Sequence, residues 1–309
     1  MQKYGRSLIK DVGRDWQLYL FLAIPVIYII VFAYLPMGGL VMAFQRFSIR
    51  RGFMGSEWVG LQNFEKFFSS YQFRRVIVNT VVLSLYTIIA GFPIPIIFAL
   101  MINSLRSKWF KKISQTIVNL PHFISVTVLV GIVFQLFSSR TGLYGMIGRT
   151  LTGSVPPDLF ASASNFRHFY TWSGIWQDFG WGSIIYVAAL SSIDPSYHEA
   201  AEIDGATRFQ RVLHIDFPNI ASTIIILLIL RMGSVMSVGF EKTYLMQNSL
   251  NLQTSEVIST YVYQVGLSSQ GSIDFSYATA IGFFNSVVNM IIITTINMVA
   301  RKFSETSLW

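Results

Sequence analysis

Apolar residues in this chain come in long unbroken blocks separated by short polar clusters. A soluble amphipathic helix repeats its apolar positions every three or four residues, whereas here whole turns are apolar on every side. Six blocks approach or reach the ~20 residues that a helix needs to cross a bilayer. They run Leu18–Tyr34, Thr80–Ile102, Ile117–Phe137, Trp172–Leu190, Ile220–Val238 and Ala278–Ala300. The pattern predicts an all-α polytopic membrane protein with six transmembrane helices. Pro93 and Pro95 fall inside the second block, and each removes a backbone donor, which predicts a kink or an unwound turn there.

Composition strengthens this picture. Of 309 residues, 52% are hydrophobic and only 12% charged, about half the charge content of a soluble domain. A net charge of +8 raises the question of nucleic acid, but the cations sit in short clusters between apolar blocks, as membrane anchors do. There is no cysteine, which excludes disulfides, a lipid-modified N-terminal Cys and thiolate chemistry.

Basic residues flank membrane spans on the cytoplasmic side. Lys3, Arg6, Lys10 and Arg14 precede the first block, and no small-residue cleavage site follows it, so it reads as a retained signal anchor. Arg106, Lys108, Lys111 and Lys112 fill the tight connection after the second block, and Arg301 and Lys302 follow the last. Both termini and the segment between the fourth and fifth spans are therefore expected on the cytoplasmic side. Six cations between Pro36 and Arg75 (Arg46, Arg50, Arg51, Lys66, Arg74, Arg75) run against the rule, in a loop long enough to be partly exempt.

The segment between the fourth and fifth blocks carries the strongest motif. It reads Glu199-Ala200-Ala201-Glu202-Ile203-Asp204-Gly205-Ala206-Thr207 and continues to Ile215-Asp216-Phe217-Pro218. Glu199 to Ile203 predicts a short helix whose small residues permit close approach to another surface. Asp204-Gly205 is a turn signal, with Gly tolerating the positive φ that ends a helix. Thr207 to His214 predicts a second short helix, and Phe217-Pro218 breaks it before the fifth span.

These residues resemble the E-A-A, three residues, G, nine residues, I-x-L-P pattern of MetI-like permeases of binding-protein-dependent ABC importers. The match falls on Glu199, Ala200, Ala201, Gly205, Ile215 and Pro218, with Phe217 where Leu is usual. Flanking stretches extend the resemblance over essentially the whole chain: Tyr34–Leu40, Trp58–Phe64, Trp172–Trp181, Tyr186–Leu190 and Gly239-Phe240-Glu241-Lys242. They are similar to the branch serving lipoprotein-associated polysaccharide and complex oligosaccharide uptake in Gram-positive bacteria.

The resemblance implies a MetI-like permease fold with a cytoplasmic coupling helix. Residues 1–78 would form the N-terminal cytoplasmic segment, first span and external loop, and residues 79–309 the permease core with a coupling loop at 194–218. It implies that this loop docks on a separate ATPase. Glu199 would be the ion-pairing residue, and Ala200, Ala201, Asp204, Gly205, Ile215, Phe217 and Pro218 would shape the contact. It further implies a second homologous permease, two ATPase subunits carrying ATP and Mg, an external solute-binding lipoprotein, a multi-pass location in a bacterial cell membrane, and an oligosaccharide or polysaccharide cargo.

A chain that hydrolysed ATP itself would need a G-x-x-x-x-G-K-[ST] loop to cradle phosphates, and no Gly-Lys pair occurs. His122, His168, His198 and His214 are isolated and lack metal-ligand spacing, so no metal or cofactor is expected in this chain. Arg231 falls eleven positions after Ile220, roughly 16 Å into the fifth span at ~1.5 Å per residue. A charge at that depth is costly and should face the protein interior or a watery path. Asn285 and Asn289 lie at comparable depth on one face of the sixth span. Together the three predict either a polar lining or a packing network. Trp172, Trp176 and Asp178 offer aromatic faces and an acceptor for sugar hydroxyls, although tryptophans at span ends also serve as interface anchors. Two rivals stay open: a permease for another delivered solute, and a secondary transporter without an ATPase.

Overall fold

The computed structural model describes residues 14–268 and 273–303. Lys3, Arg6 and Lys10 of the basic N-terminal cluster lie outside the described residues, as does the side chain of Lys302. Within them the apolar blocks become helices, because a helix satisfies every backbone N–H and C=O internally where no water is present.

The described chain divides into two compact units. The first comprises the residues up to Phe67 together with Val265–Phe283. Its long helix begins as α1 (Trp16–Ile29) and runs on to Phe44 through a π turn, a short α segment and a 3-10 segment. Pro36 does not stop it, because it opens the Leu35–Met37 segment, where its missing donor is not needed. Strand β1 (Gln45–Arg46) then pairs antiparallel with β2 (Glu57–Trp58). Asn63 Nδ2 donates to the carbonyls of Ala43 and Gln45 at 2.9 and 3.1 Å and anchors the turn that follows.

Two cations of this loop are neutralised within the unit: Arg46 by Glu57 at 3.1 Å, and Lys66 by Asp274 at 2.8 Å. Arg75, in the second unit, pairs with the buried Glu256. These partners blunt the charge that runs against the positive-inside pattern.

The second unit holds Phe68–Gln264 and the chain from Phe284 onward. Helix α2 (Tyr71–Gly91) is N-capped by Ser70, whose hydroxyl accepts the Phe73 N–H at 3.1 Å. After an interruption at Phe92 it continues as α3 (Pro93–Asn103), and together they make one 33-residue span. The kink or unwound turn expected at Pro93 and Pro95 does not form: Phe92 keeps right-handed helical angles (φ −67°, ψ −40°) and its N–H still bonds the Ile88 carbonyl at 2.8 Å, because Pro93 opens the first turn of α3, where a missing donor is tolerated.

The third block does not form one straight helix. Helix α4 (Lys108–Asn119), extended by a 3-10 turn through Phe123, and α5 (Val126–Phe137) meet at 97° across Ile124-Ser125. Pro121 removes a donor, and the hydroxyl of Ser125 caps α5 by accepting the Val128 N–H at 3.3 Å, so the sequence ends one helix and starts another. The fourth span is α6 (Ala163–Ser191), which begins well before Trp172. The connection to the fifth holds α7 (Pro195–Ile203) and α8 (Arg208–Arg211). The fifth span, α9 (Ala221–Gly233), stops short of Val238 and is followed by α10 (Phe240–Met246). The last is α11 (Phe275–Phe303).

Among the described residues three helices are long and apolar enough to cross a membrane: Trp16–Phe44, Tyr71–Asn103 and Phe275–Arg301. The number rises to five if each bent pair counts as one span. Helix α6 has the length, 29 residues or ~43 Å, but carries polar groups along it because it is the central packing helix of its unit. It buries Phe166, Thr171, Ile175, Gln177, Ser183, Tyr186 and Leu190 against its neighbours. One core cluster gathers Leu83, Leu129, Val133, Phe166, Val238, Met246 and Val257; another gathers Ile96, Ala99, Tyr186, Leu190 and Ile220. Gly180 lets α6 touch α4: a Cβ there would stand 2.6 Å from the Val118 carbonyl carbon and nearer still to its oxygen.

Candidate functional site

Two features combine chemistry with exposure, and both belong to the second unit. The first is the connection from Asp194 to Asn219. Asp194 caps α7, its carboxylate accepting the Ser196 N–H at 2.9 Å. These bonds favour the ionised form and hold the Asp194 carboxyl below the usual carboxylate range. The helix ends at Asp204, and Gly205 takes φ +75°, the left-handed conformation that a side chain disfavours. Thr207 then opens α8 with a reciprocal capping box: its hydroxyl accepts the Gln210 N–H, while the Gln210 side chain accepts the Thr207 N–H at 2.8 Å.

The chain continues through a π turn (Val212–Asp216) and Phe217–Asn219, and bends by 59° at Ile220 into the fifth span. The break therefore falls two residues beyond Pro218, because proline is tolerated in a first helical turn and breaks only what precedes it.

The two short helices are tied at their bases. Arg211 donates to Glu202 at 3.1 Å. His198 lies 3.2 Å from Asp216, and Asn103 Nδ2 donates to the same carboxylate at 3.3 Å. Asp216 is buried, and desolvation pushes its carboxyl above the ordinary value against the opposing pull of His198, Asn103 and Arg211.

The outer surface of this two-helix segment, termed the L, is different. Glu199 is exposed and makes no ion pair among the described residues. Ile203 and Phe209 are 87% and 75% exposed, and Leu213 and Phe217 also stand open. Ala200 is exposed and Ala201 half-buried, so neither shields Glu199, while Ile215 turns inward and Pro218 stays outside. A free carboxylate beside exposed apolar side chains is a surface built to be covered.

The second feature is a cavity of about 650 Å³ enclosed by α2, α3, α6, α9 and α10. Its apolar wall includes Leu83, Ile88, Phe92, Ile175 and Leu227. Its polar side chains are Tyr170, Gln177, Asp178, Tyr186, Arg231, Glu241 and Lys242, with Ser84, Thr87, Ser234 and Ser237 between them. Lys242 is buried; its ammonium donates to the Tyr170 carbonyl at 2.8 Å and lies 4.9 Å from the Tyr170 ring centroid. The missing side chain of Gly174 makes room for it, since a Cβ there would stand 2.9 Å from Nζ. Gln177 donates to the Ile124 carbonyl at 2.7 Å, and Glu241 accepts from Thr127 at 3.3 Å. Asp178 is 2.9 Å from His122, whose ring stacks on Trp181 at 4.5 Å and 5°.

The structure divides the expected substrate path. Arg231 and Asp178 line this cavity. Asn289 does not: it bonds the unwound chain after α9, accepting the Met236 N–H and donating to Ser237. Asn285, one turn away, keeps its Oδ1 buried without a partner among the described residues. Trp172 and Trp176 are exposed on α6 away from the cavity wall, and Trp172 donates to the Tyr86 hydroxyl at 3.0 Å. Lys242, Glu241, Gln177 and Tyr170 were not singled out as cavity groups from sequence. The available signal was a charged pair, Glu241-Lys242, set immediately after a membrane block. The four histidines all hold hydrogen-bond partners: Asp178, Tyr86, Asp216 and the Gln210 carbonyl.

Residues 91–305 match the family described as binding-protein-dependent transport system inner membrane component. The chain is 42% identical over 305 residues to Protein LplB of Bacillus subtilis (strain 168), covering 99% of this chain and 95% of that protein. It is 39% identical over 308 residues to the polygalacturonan/rhamnogalacturonan transport system permease protein YteP of the same organism, covering 100% of this chain and 94% of the relative. Among solved structures it is similar to a crystal structure of a bacterial ABC transporter involved in the import of the acidic polysaccharide alginate. There the TM-score is 0.87 at 39% identity, with 96% of this chain and 99% of that chain covered. A bacterial alginate ABC transporter in complex with alginate pentasaccharide-bound periplasmic protein gives a TM-score of 0.86, also at 39% identity.

Proposed function

The chain belongs to the family of binding-protein-dependent transport system inner membrane components, and on that premise we propose that it is the membrane-spanning permease subunit of an ATP-driven importer of oligosaccharides or polysaccharide fragments. The observation that carries the reading is the two-helix segment 194–219. It is braced from within by Arg211–Glu202 and His198–Asp216 and presents Glu199, Ile203 and Phe209 outward. The bracing makes the segment a rigid lever, and the exposed groups supply it with a charge and two apolar anchors for a partner. The partner is an ATPase subunit carrying ATP and Mg, since this chain has no Gly-Lys pair to build a phosphate-binding loop.

The working complex contains this chain, a second homologous permease, two ATPase subunits and an external solute-binding lipoprotein. Both termini and the L face the cytoplasm of a bacterial cell. ATP binding closes the ATPase pair and draws the two coupling segments together. That movement passes through the 59° junction at Ile220 into the fifth span and opens the cavity at Arg231 and Asp178 to the outside. ATP supplies the free energy; this chain converts closure into a change of access.

Co-purification of the chain with the products of neighbouring genes, followed by ATPase assays with candidate glycans and the binding protein, tests the reading. The expected result is an assembly whose ATP hydrolysis rises when glycan-loaded binding protein is added. An assembly without an ATPase, or uptake that follows an ion gradient and ignores ATP, overturns it.

A further inference from the structure

The cavity holds two acids and two cations, and of the four only the Arg231 side chain lacks a hydrogen bond among the described residues. Both acids are engaged from outside the cavity: Asp178 by His122 at 2.9 Å, and Glu241 by Thr127 at 3.3 Å. The cations retain donors. Lys242 has three N–H bonds to give, and one goes to the Tyr170 carbonyl. Arg231 has five, and its guanidinium makes no hydrogen bond or ion pair among the described residues, although it is exposed on the cavity wall.

Arg231 sits in the last turn of α9, where helical carbonyls favour a cation. That placement fixes its position without consuming its side chain. Its donors remain available at the cavity wall. Tyr186, Gln177 and the hydroxyls of Ser234 and Ser237 share the wall and suit sugar hydroxyls.

We infer that Arg231, supported by Lys242, is a carboxylate receptor, and that the cavity is built for an anionic glycan whose sugar units carry carboxyl groups. The inference rests on the importer reading and narrows its cargo. Arginine is the residue suited to it: its planar fork meets the two oxygens of a carboxylate with two parallel bonds, and a lysine there would act only as a point charge. A neutral glycan offers the guanidinium only single hydroxyl acceptors and no charge, so it lacks the charge-assisted bidentate pair that favours an acidic cargo.

The test uses the assembled complex with its binding protein in proteoliposomes. Uptake of a uronate oligosaccharide is compared with uptake of the same oligosaccharide after reduction of its carboxyl groups. The binding protein imposes its own preference, so the quantity read is the acidic-to-neutral ratio in the wild type divided by that ratio in Arg231→Gln, with the binding protein held constant. A charge-assisted bidentate contact predicts that this quotient is about tenfold or more, and that Arg231→Lys recovers part of it. Co-purification of the ATPase reports whether each variant assembles.

An unchanged ratio in an assembled Arg231→Gln complex overturns the inference, as does a wild type that carries the reduced glycan as fast as the acidic one. If Arg231→Gln fails to assemble, the same quotient is read from Arg231→Lys and from Lys242→Met, and an unchanged ratio in both is equally fatal. A complex that takes neither glycan, acidic or reduced, contradicts the importer reading itself.

Discussion

The side-chain carbonyl of Asn289 accepts the backbone N–H of Met236 at 3.1 Å while its amide donates to Ser237 Oγ at 2.9 Å. Helix α9 ends at Gly233; the Ser234 and Val235 N–H groups still reach the Arg231 and Met232 carbonyls, whereas the Met236 N–H is taken by Asn289. Asn289 thereby pins the chain that lines the cavity at Ser234, Ser237 and Val238. Replacing it by Leu leaves a donor unpaired at a cost of about 1–3 kcal/mol. Asn289→Leu is expected to lower the melting temperature of the detergent-solubilised protein. Uptake should fall in proportion to folded complex, with no change in glycan preference. A shift in preference at full stability would place Asn289 in the substrate path instead.

Gly180 and Gly174 lie on the same helix and predict different outcomes. A side chain at Gly180 meets the backbone of Val118, which cannot move without separating α4 from α6. At Gly174 it meets the tip of Lys242, which is flexible. Gly180→Val should abolish accumulation of the folded protein, by the overpacking cost of about 1–3 kcal/mol or more. Gly174→Ala should preserve folding and displace the ammonium. Size-exclusion profiles of the two variants check this, and equal behaviour would remove the argument from close approach.

Glu199 has no ion-pair partner among the described residues, so its loss costs the fold nothing that the structure records. Glu199→Arg should keep the melting temperature of the isolated permease and lower glycan-stimulated ATP hydrolysis roughly tenfold or more, the effect of losing an interfacial charge pair worth about 2 kcal/mol or more. Ile203→Ser combined with Phe209→Ser should weaken ATPase co-purification by removing the exposed apolar anchors. Retained coupling in both variants would direct attention to another surface.

Two carboxylates of the L, Asp194 and Asp216, respond to acid in opposite senses. Asp194 is held below its ordinary value by the Ser196 N–H, so its contribution is present above about 3.9 and lost as pH falls through the lowered value. Asp216 is raised by burial, so its contribution is present below about 3.9 and lost as pH rises through the raised value. Asp216→Asn removes the second titration and keeps an acceptor for Asn103. It should flatten the fall in melting temperature on the side above the ordinary carboxylate range, and Asp194→Ala should lower stability most at neutral pH. Parallel curves for wild type and Asp216→Asn would show that burial of Asp216 does not govern this segment.

Much of this protein is written in local sequence. Apolar block length determines where helices form, because no other arrangement satisfies the backbone in lipid. Asp194, Gly205 and Thr207 determine the turn-by-turn course of the L, since caps and left-handed glycines act within a few residues of themselves.

The tertiary structure decided what depends on neighbours distant in sequence. Whether Arg231 and Asn289 share a wall is a question of where α9 unwinds, and that is settled by Asn289 reaching Met236 across 53 positions. The close approach of α4 to α6 depends on Gly180, whose missing side chain leaves room for the Val118 backbone. Asp178 enters the cavity with His122 and Trp181 behind it, and Lys242 enters because Gly174 leaves it space. Hydrophobic periodicity reports only that a residue is in the membrane; which face meets a cavity is set by side chains that meet only once the helices have packed.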